Sequence, residues 1–406
     1  MNIKIRNEHL VREMTAWRRD LHSHPEFGFE ERRTSALVAA KLREFGLDDV
    51  AEGVGGTGVV GTLRRGSCNR SIALRADIDA LRISEQAGRD YVSTTPGTMH
   101  ACGHDGHTAM LLGAAKMLAE GGGFDGTVRF VFQPAEEWGK GALAMLSDGL
   151  LERFPFQEIY GLHNMPGLAV GQFQTRVGPF MSAEDNFEIM LRGLGGHAAR
   201  PQWGRETLVA ACALVTNLQT IVSRRLNPAD TAVVSVTELI TDGTRNALPG
   251  EARILGDARS FRPEVSATIE QQMRVIAEGT ALAHNVSAEV TYTREFVALL
   301  NDADLVSEAF EAARTVFGAE GVSEACEPMT GSEDFARFLD KVPGCFAFVG
   351  NGVESPPLHN PGYDFNDDGL LFGAQYHVAI VRRRLPADTS TTQPNSRVFT
   401  QPVEKN

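Results

Sequence analysis

The sequence predicts an α/β protein: a mixed sheet with helices on both faces, interrupted by an inserted ferredoxin-like α+β domain. Toward both ends of the chain, short apolar strands alternate with helical stretches, as they do in a layered α/β sheet. The middle runs strand, helix, strand, strand, helix, strand over residues 181–293. That order builds a four-stranded antiparallel sheet covered on one face by two helices. The length of 406 residues also exceeds what one ordinary core organises. The main domain is therefore expected in two pieces, 1–180 and 294–385, with 181–293 inserted and 386–406 as a flexible tail.

In chain order, residues 8–46 show helical spacing broken at Pro25 and Gly28. The glycines of Gly53-Val-Gly55-Gly-Thr-Gly58 match a dinucleotide-binding pattern, but a strand-like run follows where a helix would have to start, so they read as a hairpin turn. Strands are expected over 71–74, 127–132, 158–162 and 345–349, and helices over 108–119 and 141–150. In the insertion, strands fall at 186–192, 231–239, 252–261 and 287–293. Its helices fall at 206–225 and 263–283, the second opening on Pro263. From Pro386 onward Pro, Thr, Ser, Gln and Asn dominate, a composition that does not bury a core.

Lys and Arg total 39 against 52 for Asp and Glu, a net charge of −13. This balance argues against nucleic acid as a partner. The N-terminus lacks a signal-like apolar stretch, and no apolar run of about 18 residues exists to span a membrane. Five scattered cysteines do not form a disulfide framework, and a reducing cytoplasm is the expected setting.

The chemistry concentrates in Met99-His-Ala-Cys-Gly-His-Asp-Gly-His107. A thiol and imidazoles so close together suit a zinc-like ion, because thiolate and neutral imidazole are its natural ligands. Cys102 and His104 lie in a glycine-flanked loop; Glu137 and His163 follow later strands; His359 sits in a proline-rich loop. Strand ends of an open α/β sheet converge on one site, so these five are the candidate ligands. Of the adjacent Glu136 and Glu137, one can ligate while the other stays free as a general base, and Glu136 is assigned that role. Asp77 ends a strand and is a candidate to orient a metal-bound histidine. His22 and His24 read as structural, His107 is a weaker ligand candidate than His104, and Trp138 is a candidate for an acyl pocket or for simple packing.

From about residue 14 to 384 the chain resembles the dimetal amidohydrolases of the aminoacylase and carboxypeptidase G2 peptidase family. It is most similar to the branch of hippurate hydrolase, N-acyl-amino-acid amidohydrolases and indoleacetyl-amino-acid hydrolases. The resemblance rests on Asp20-Leu-His-Ser-His-Pro25-Glu, Leu74-Arg-Ala-Asp77-Ile-Asp-Ala80, His100-Ala-Cys-Gly-His-Asp105, Gln133-Pro-Ala-Glu-Glu137, Gly196-His197-Ala-Ala and Gly331-Ser-Glu-Asp-Phe335, in that order. It implies a metallopeptidase-like catalytic domain with two divalent ions, about 3.5–4 Å apart. Zinc or manganese is the first expectation, and cobalt or nickel would also suit. Cys102 would bridge, Glu137 and His359 would complete one ion, and His104 and His163 the other. His197 would stabilise the oxyanion, and Asn246, Arg259 and Ser332 would bind substrate. The inserted domain would act as lid and pair with its copy into a homodimer or higher homo-oligomer. Two departures, Arg82 where relatives often carry proline and Gln202-Trp203 where they often carry histidine, bear on the pocket rather than on the ligands.

The implied activity is hydrolysis of the linear amide of an N-acyl amino acid to a carboxylic acid and a free amino acid. A second enzyme reading keeps the centre but acts as an N-acetyl-amino-acid (diaminopimelate-type) deacetylase or an aromatic amine deaminase. A third is a non-catalytic metal- or ligand-binding protein, which would have no need of a free Glu136.

Overall fold

The computed structural model describes residues 3–387. The chain opens with α1 (Ile3–Ser23) and α2 (Arg32–Glu44), then the hairpin β1 (Asp49–Val54) and β2 (Gly58–Arg65), then β3 (Ser71–Asp77), α3 (His104–Gly121) and β4 (Gly126–Gln133). A single turn at Glu136–Trp138 leads to α4 (Gly141–Ser147), α5 (Leu150–Arg153), β5 (Glu158–Pro166), β6 (Phe173–Gln174) and β7 (Gly178–Met181). The middle comprises β8 (Ala183–Arg192), β9 (Gly196–His197), α6 (Thr207–Leu218), β10 (Ala232–Thr241), β11 (Ala247–Leu248), β12 (Glu251–Ser260), α7 (Pro263–Ala283) and β13 (Ser287–Phe296). The chain closes with β14 (Leu299–Asn301), α8 (Ala303–Phe317), β15 (Val322–Ser323), α9 (Ala336–Leu339), β16 (Gly344–Gly352) and α10 (Leu370–Arg384).

Eight strands form a mixed sheet in the order β1-β2-β4-β3-β5-β16-β6-β15. The central strands β4, β3, β5 and β16 are parallel. All seven residues of β3 are buried, which is why its middle, residues 72–76, is apolar apart from Arg75. One core lies between the sheet and α1, α3, α8 and α10, gathering Met14, Leu111, Phe130 and Tyr376. Another, around Met145, Phe180 and Phe346, covers the opposite face.

A separate four-stranded sheet, ordered β10-β12-β8-β13, is antiparallel throughout, and α6 and α7 pack on one face around Leu214, Ile254 and Ile269. Taken in chain order, this is the ferredoxin-like arrangement expected. The Gly53–Gly58 segment is the β1–β2 hairpin turn.

Two helices end earlier than their spacing suggested. Gly149, at φ +79°, separates α4 from α5. The stretch read as one helix over 206–225 is α6 followed by a wider π-type turn at Ile221–Arg225. Of the expected tail, residues 388–406 lie outside the described residues. Pro386, the first residue of the expected tail, pairs with Phe124.

Candidate metal centre

The site forms where the central strands end. Parallel register sets Asp77 opposite Gln133, three residues before Glu136, and His163 opposite Phe348. Cys102 precedes α3, and His104 is the helix's first residue. The turn between them needs glycine. Gly103 has φ +96°, and a Cβ there would fall 2.2 Å from Asn164 Oδ1 and 2.5 Å from the Tyr363 hydroxyl.

Each histidine is held by one nitrogen. His104 Nδ1 lies 3.0 Å from both Asp79 Oδ1 and the Asp79 carbonyl, leaving its buried Nε2 without a partner. His163 Nδ1 donates to the Asn164 carbonyl at 2.7 Å, and its Nε2 lies 3.4 Å from Cys102 Sγ. His359 stands in a left-handed turn, φ +64°, with its N–H donating to the Ala101 carbonyl at 2.8 Å. That bond ties its loop to the residue before Cys102. His359 Nε2 is 3.4 Å from Glu137 Oε1, and this buried oxygen accepts no hydrogen bond.

Of the five donor groups among the described residues whose atoms lie within 4.8 Å of one another, two of which include Glu136, two others carry the expected ligands: Cys102, His104 and His163, and Cys102, Glu137 and His359. Cys102 belongs to both. Thiol, imidazole and carboxylate donors with one thiol shared, and with the buried His104 Nε2 and Glu137 Oε1 left without hydrogen-bond partners, fit a pair of divalent cations.

The electrostatics point the same way. Burial, then Glu137 and Glu136, push the Cys102 thiol well above its usual range. Burial and the carboxylates of Glu333 and Glu137 also raise Glu136. Burial alone would lower His104, but Asp77 and Asp79 outweigh it and raise it to about 10. The pocket thus crowds acidic groups whose ionised forms burial and mutual repulsion disfavour, and a cation would relieve that penalty.

The surroundings correct one expectation and add residues that the sequence reading did not single out. Asp77 does not hold His104. It bonds His107 Nδ1 at 2.6 Å and Arg75 at 2.8 Å, and Asp79 takes the orienting contact. Both carboxylates of Asp77-Ile-Asp79 reach the first turn of α3, but strand β3 ends at Asp77, and it is Asp79 that bonds His104 Nδ1 while Asp77 bonds His107. His107 spends its other nitrogen on Asn164, whose backbone N–H donates to it at 3.0 Å.

Buried Arg75 joins Asp77, Gln133, Glu333 and Asp334. The Asp334 N–H donates to Glu136 Oε1 at 3.4 Å. Ala135, just before the two glutamates, holds φ +47°, a conformation that costs a residue with a Cβ about 1–2 kcal/mol. His22 is fully buried between Asp105 and Glu85, whereas His24 is partly exposed and bonds its own helix.

Glu136, Glu137, Cys102, His163 and His359 line one end of a cavity of about 360 Å³. Met165, Met181, Met329, Phe296, Phe348 and Leu358 form an apolar wall, and Glu184, Arg259 and Ser332 complete it. Arg259 is already engaged: Glu184 and Asp257 each lie 2.8 Å away, and it donates to Ser332 Oγ at 2.6 Å. His197 and Asn246 do not line this cavity. Both are exposed on the two-stranded β9–β11 ribbon, where His197 pairs with Ala247. Trp138 is 44% exposed and packs edge-on against Phe27.

Residues 73–383 match the peptidase family M20/M25/M40. The chain belongs to this family. It is 38% identical over 368 residues to a hippurate hydrolase of Campylobacter jejuni, covering 91% of this chain and 95% of that protein. An N-acetylcysteine deacetylase of Bacillus subtilis is 37% identical over 365 residues, covering 89% and 94%. An IAA-amino acid hydrolase, ILR1-like 4, of Arabidopsis thaliana is 38% identical over 381 residues, covering 92% and 86%. Among solved structures, the Bacillus subtilis YXEP protein, described as a dinuclear metal binding peptidase of the M20 family, superposes with a TM-score of 0.82 at 32% identity, covering 93% and 99%.

Proposed function

We propose that this chain is a metal-dependent amidohydrolase that cleaves the amide of N-acylated amino acids, releasing a carboxylic acid and a free amino acid. The observation that carries this is the sharing of Cys102 between two donor groups, with a second carboxylate, Glu136, beside Glu137 in the same cavity. A metal-binding module would not need that carboxylate. The relatives' names supply the substrate class, since each names an N-acyl amino acid or its hydrolysis.

Cys102, shared by both donor groups, would serve both ions; His104 and His163 would help hold one, and Glu137 and His359 the other, with zinc or manganese as the ions. When bound, such ions lower the pKa of water toward about 7 and polarise a carbonyl oxygen. Glu136 is the general base. Its Oε1 is steadied by the Asp334 N–H, and its Oε2 faces the His104 side at 4.0 Å. Glu136 takes a proton from water and returns it to the leaving nitrogen.

Arg259 and Ser332 orient the substrate as one bonded unit with Glu184. His197 and Asn246, standing off the cavity on their ribbon, act from a partner copy whose inserted domain pairs with this one. The 181–293 segment thus serves as lid and dimerisation domain in a cytoplasmic enzyme. Among the described residues no helix is long and apolar enough to cross a membrane.

The test is a panel of N-acetyl-, N-benzoyl- and indoleacetyl-amino acids, assayed after chelation and after return of zinc or manganese, with amine, ammonia and acetate all measured. Amide hydrolysis that vanishes on chelation and returns with metal supports the reading. Full turnover in verified metal-free protein rejects it.

A further inference from the structure

We infer that Glu31 is a positioning residue that aims the Glu136–Glu137 pair by fixing the left-handed turn at Ala135. The inference rests on the reading of Glu136 as base and Glu137 as ligand.

The turn that carries the two glutamates is only three residues long, Glu136–Trp138. A segment that short has no cooperative stability of its own. Its direction is set at Ala135, whose φ of +47° persists only when neighbours impose it. Returning Ala135 to an ordinary conformation would swing both following carboxylates out of place.

The imposing contacts come from elsewhere in the chain. Glu31, 104 residues away, accepts the Ala135 N–H on Oε1 at 2.9 Å. Its other oxygen accepts the Thr57 hydroxyl, which keeps the carboxylate from rotating. Gly28 presses on the same residue: a Cβ there would lie 3.1 Å from both Cα and Cβ of Ala135. The 26–31 segment thus forms a seat for Ala135, and Glu31 is its side-chain anchor to that N–H. Glu31 is fully buried and belongs to none of the metal-donor groups. Its carboxylate is therefore free of metal duty, and the contacts it does make hold backbone and hydroxyl in place.

The test compares Glu31→Gln, Glu31→Ala, Thr57→Val and Glu31→Ala combined with Ala135→Gly. Amide hydrogen exchange over residues 134–139 is read in metal-free and metal-loaded protein, alongside kcat, KM and metal content. Glu31→Ala is expected to speed exchange in that segment about tenfold, the worth of one such hydrogen bond, without changing exchange in the four-stranded sheet. It should lower kcat by up to about 10²-fold through misplacement of the glutamates, with KM little changed and both ions retained.

Glu31→Gln keeps an oxygen acceptor for the Ala135 N–H and should stay close to wild type. Ala135→Gly should return part of the lost kcat in the Glu31→Ala background, because glycine takes the left-handed conformation without support. Thr57→Val is the milder probe, and it remains informative where Glu31→Ala does not fold: it should shift exchange and kcat in the same direction.

Unchanged exchange at 134–139 in Glu31→Ala and Thr57→Val overturns the inference. So does a Glu31→Gln as damaged as Glu31→Ala, or an Ala135→Gly that restores nothing. An absence of amidase activity in the wild type would sink the proposed function instead, while the exchange data would still decide the role of Glu31 in the turn.

Discussion

The cluster around Cys102 and the ribbon that carries His197 differ in how much of their geometry the chain itself supplies. In the cluster the donors are held from behind: His104 by Asp79, His163 by the Asn164 carbonyl, and the His359 loop by the Ala101 carbonyl. The free atoms then point inward, toward one another. On the ribbon, His197 Nδ1 accepts the Ala199 N–H at 3.1 Å, and Asn246 lies next to Thr244. Both side chains are exposed, and neither lines the cavity. A site whose donors are largely buried, with only His359 at its exposed edge, is preset for an ion small enough to enter it. An exposed histidine oriented by a neighbouring amide is preset for something that arrives at the surface.

The sharpest way to break this comparison lies inside the cluster, with two adjacent residues that should behave differently. Glu136→Gln should retain both ions and lose about 10²–10⁴-fold in kcat, the range for a lost acid–base group. Glu137→Gln should lose metal affinity as well. Metal content by elemental analysis and turnover on the same preparations decide it, and equal metal content with equal activity in the two variants removes the distinction between base and ligand.

The ribbon comes next. His197→Ala should leave metal content intact and lower turnover about 10²–10³-fold, the usual cost of one oxyanion donor. If the donor acts across a dimer, mixing His197→Ala with Glu136→Gln subunits creates hybrid dimers with one complete site, and activity should partly return. Verified hybrid dimers that stay inactive would place His197 within its own subunit or outside the reaction.

What was legible in the sequence follows the same division. Cys102, His104, Glu137, His163 and His359 stood out because thiol, imidazole and carboxylate in loops and at strand ends, occurring together, have few other uses. The sheet was legible because its central strands are buried on both faces, and the strand-helix order read over 181–293 pointed to the second sheet. The residues behind the ligands were hidden because a charged residue reads as surface until the fold buries it. Arg75, Glu31, Glu333 and Asp334 are each 1% exposed or less. Helix ends were partly visible: Asp148-Gly149 was an available stop signal for α4, whereas nothing local ends α6 at Leu218, where neither glycine nor proline stands. Tertiary packing decides that boundary.

A smaller effect tests the correction at Asp77. Asp79→Asn should weaken metal affinity about 10–100-fold, as loss of a contact that orients a ligand does. Asp77→Asn should cost stability through His107 and Arg75 while changing metal affinity less. Competition titration with a chelator compares the two, and a larger affinity loss in the Asp77 variant restores the original assignment.

The smallest effect separates burial from commitment to a site. His377, on α10, is 1% exposed, its Nδ1 has no partner, and it belongs to no donor group. Burial, with a further contribution from His107, pushes its pKa down from 6.5 to about 3. Between those two values the unfolded chain takes up a proton that the folded chain refuses. The stability linked to this group is therefore complete above pH 6.5 and drains away as pH falls toward about 3. His377→Leu abolishes the titration, so thermal midpoints followed from pH 7 down to about 4 should fall less steeply than in the wild type. The gap should reach a few degrees, since each kcal/mol moves the midpoint by about 2–4 °C in proteins of 150–250 residues. Parallel curves would mean that His377 meets a proton acceptor on protonation, and that burial alone does not set the behaviour of the histidines in this core.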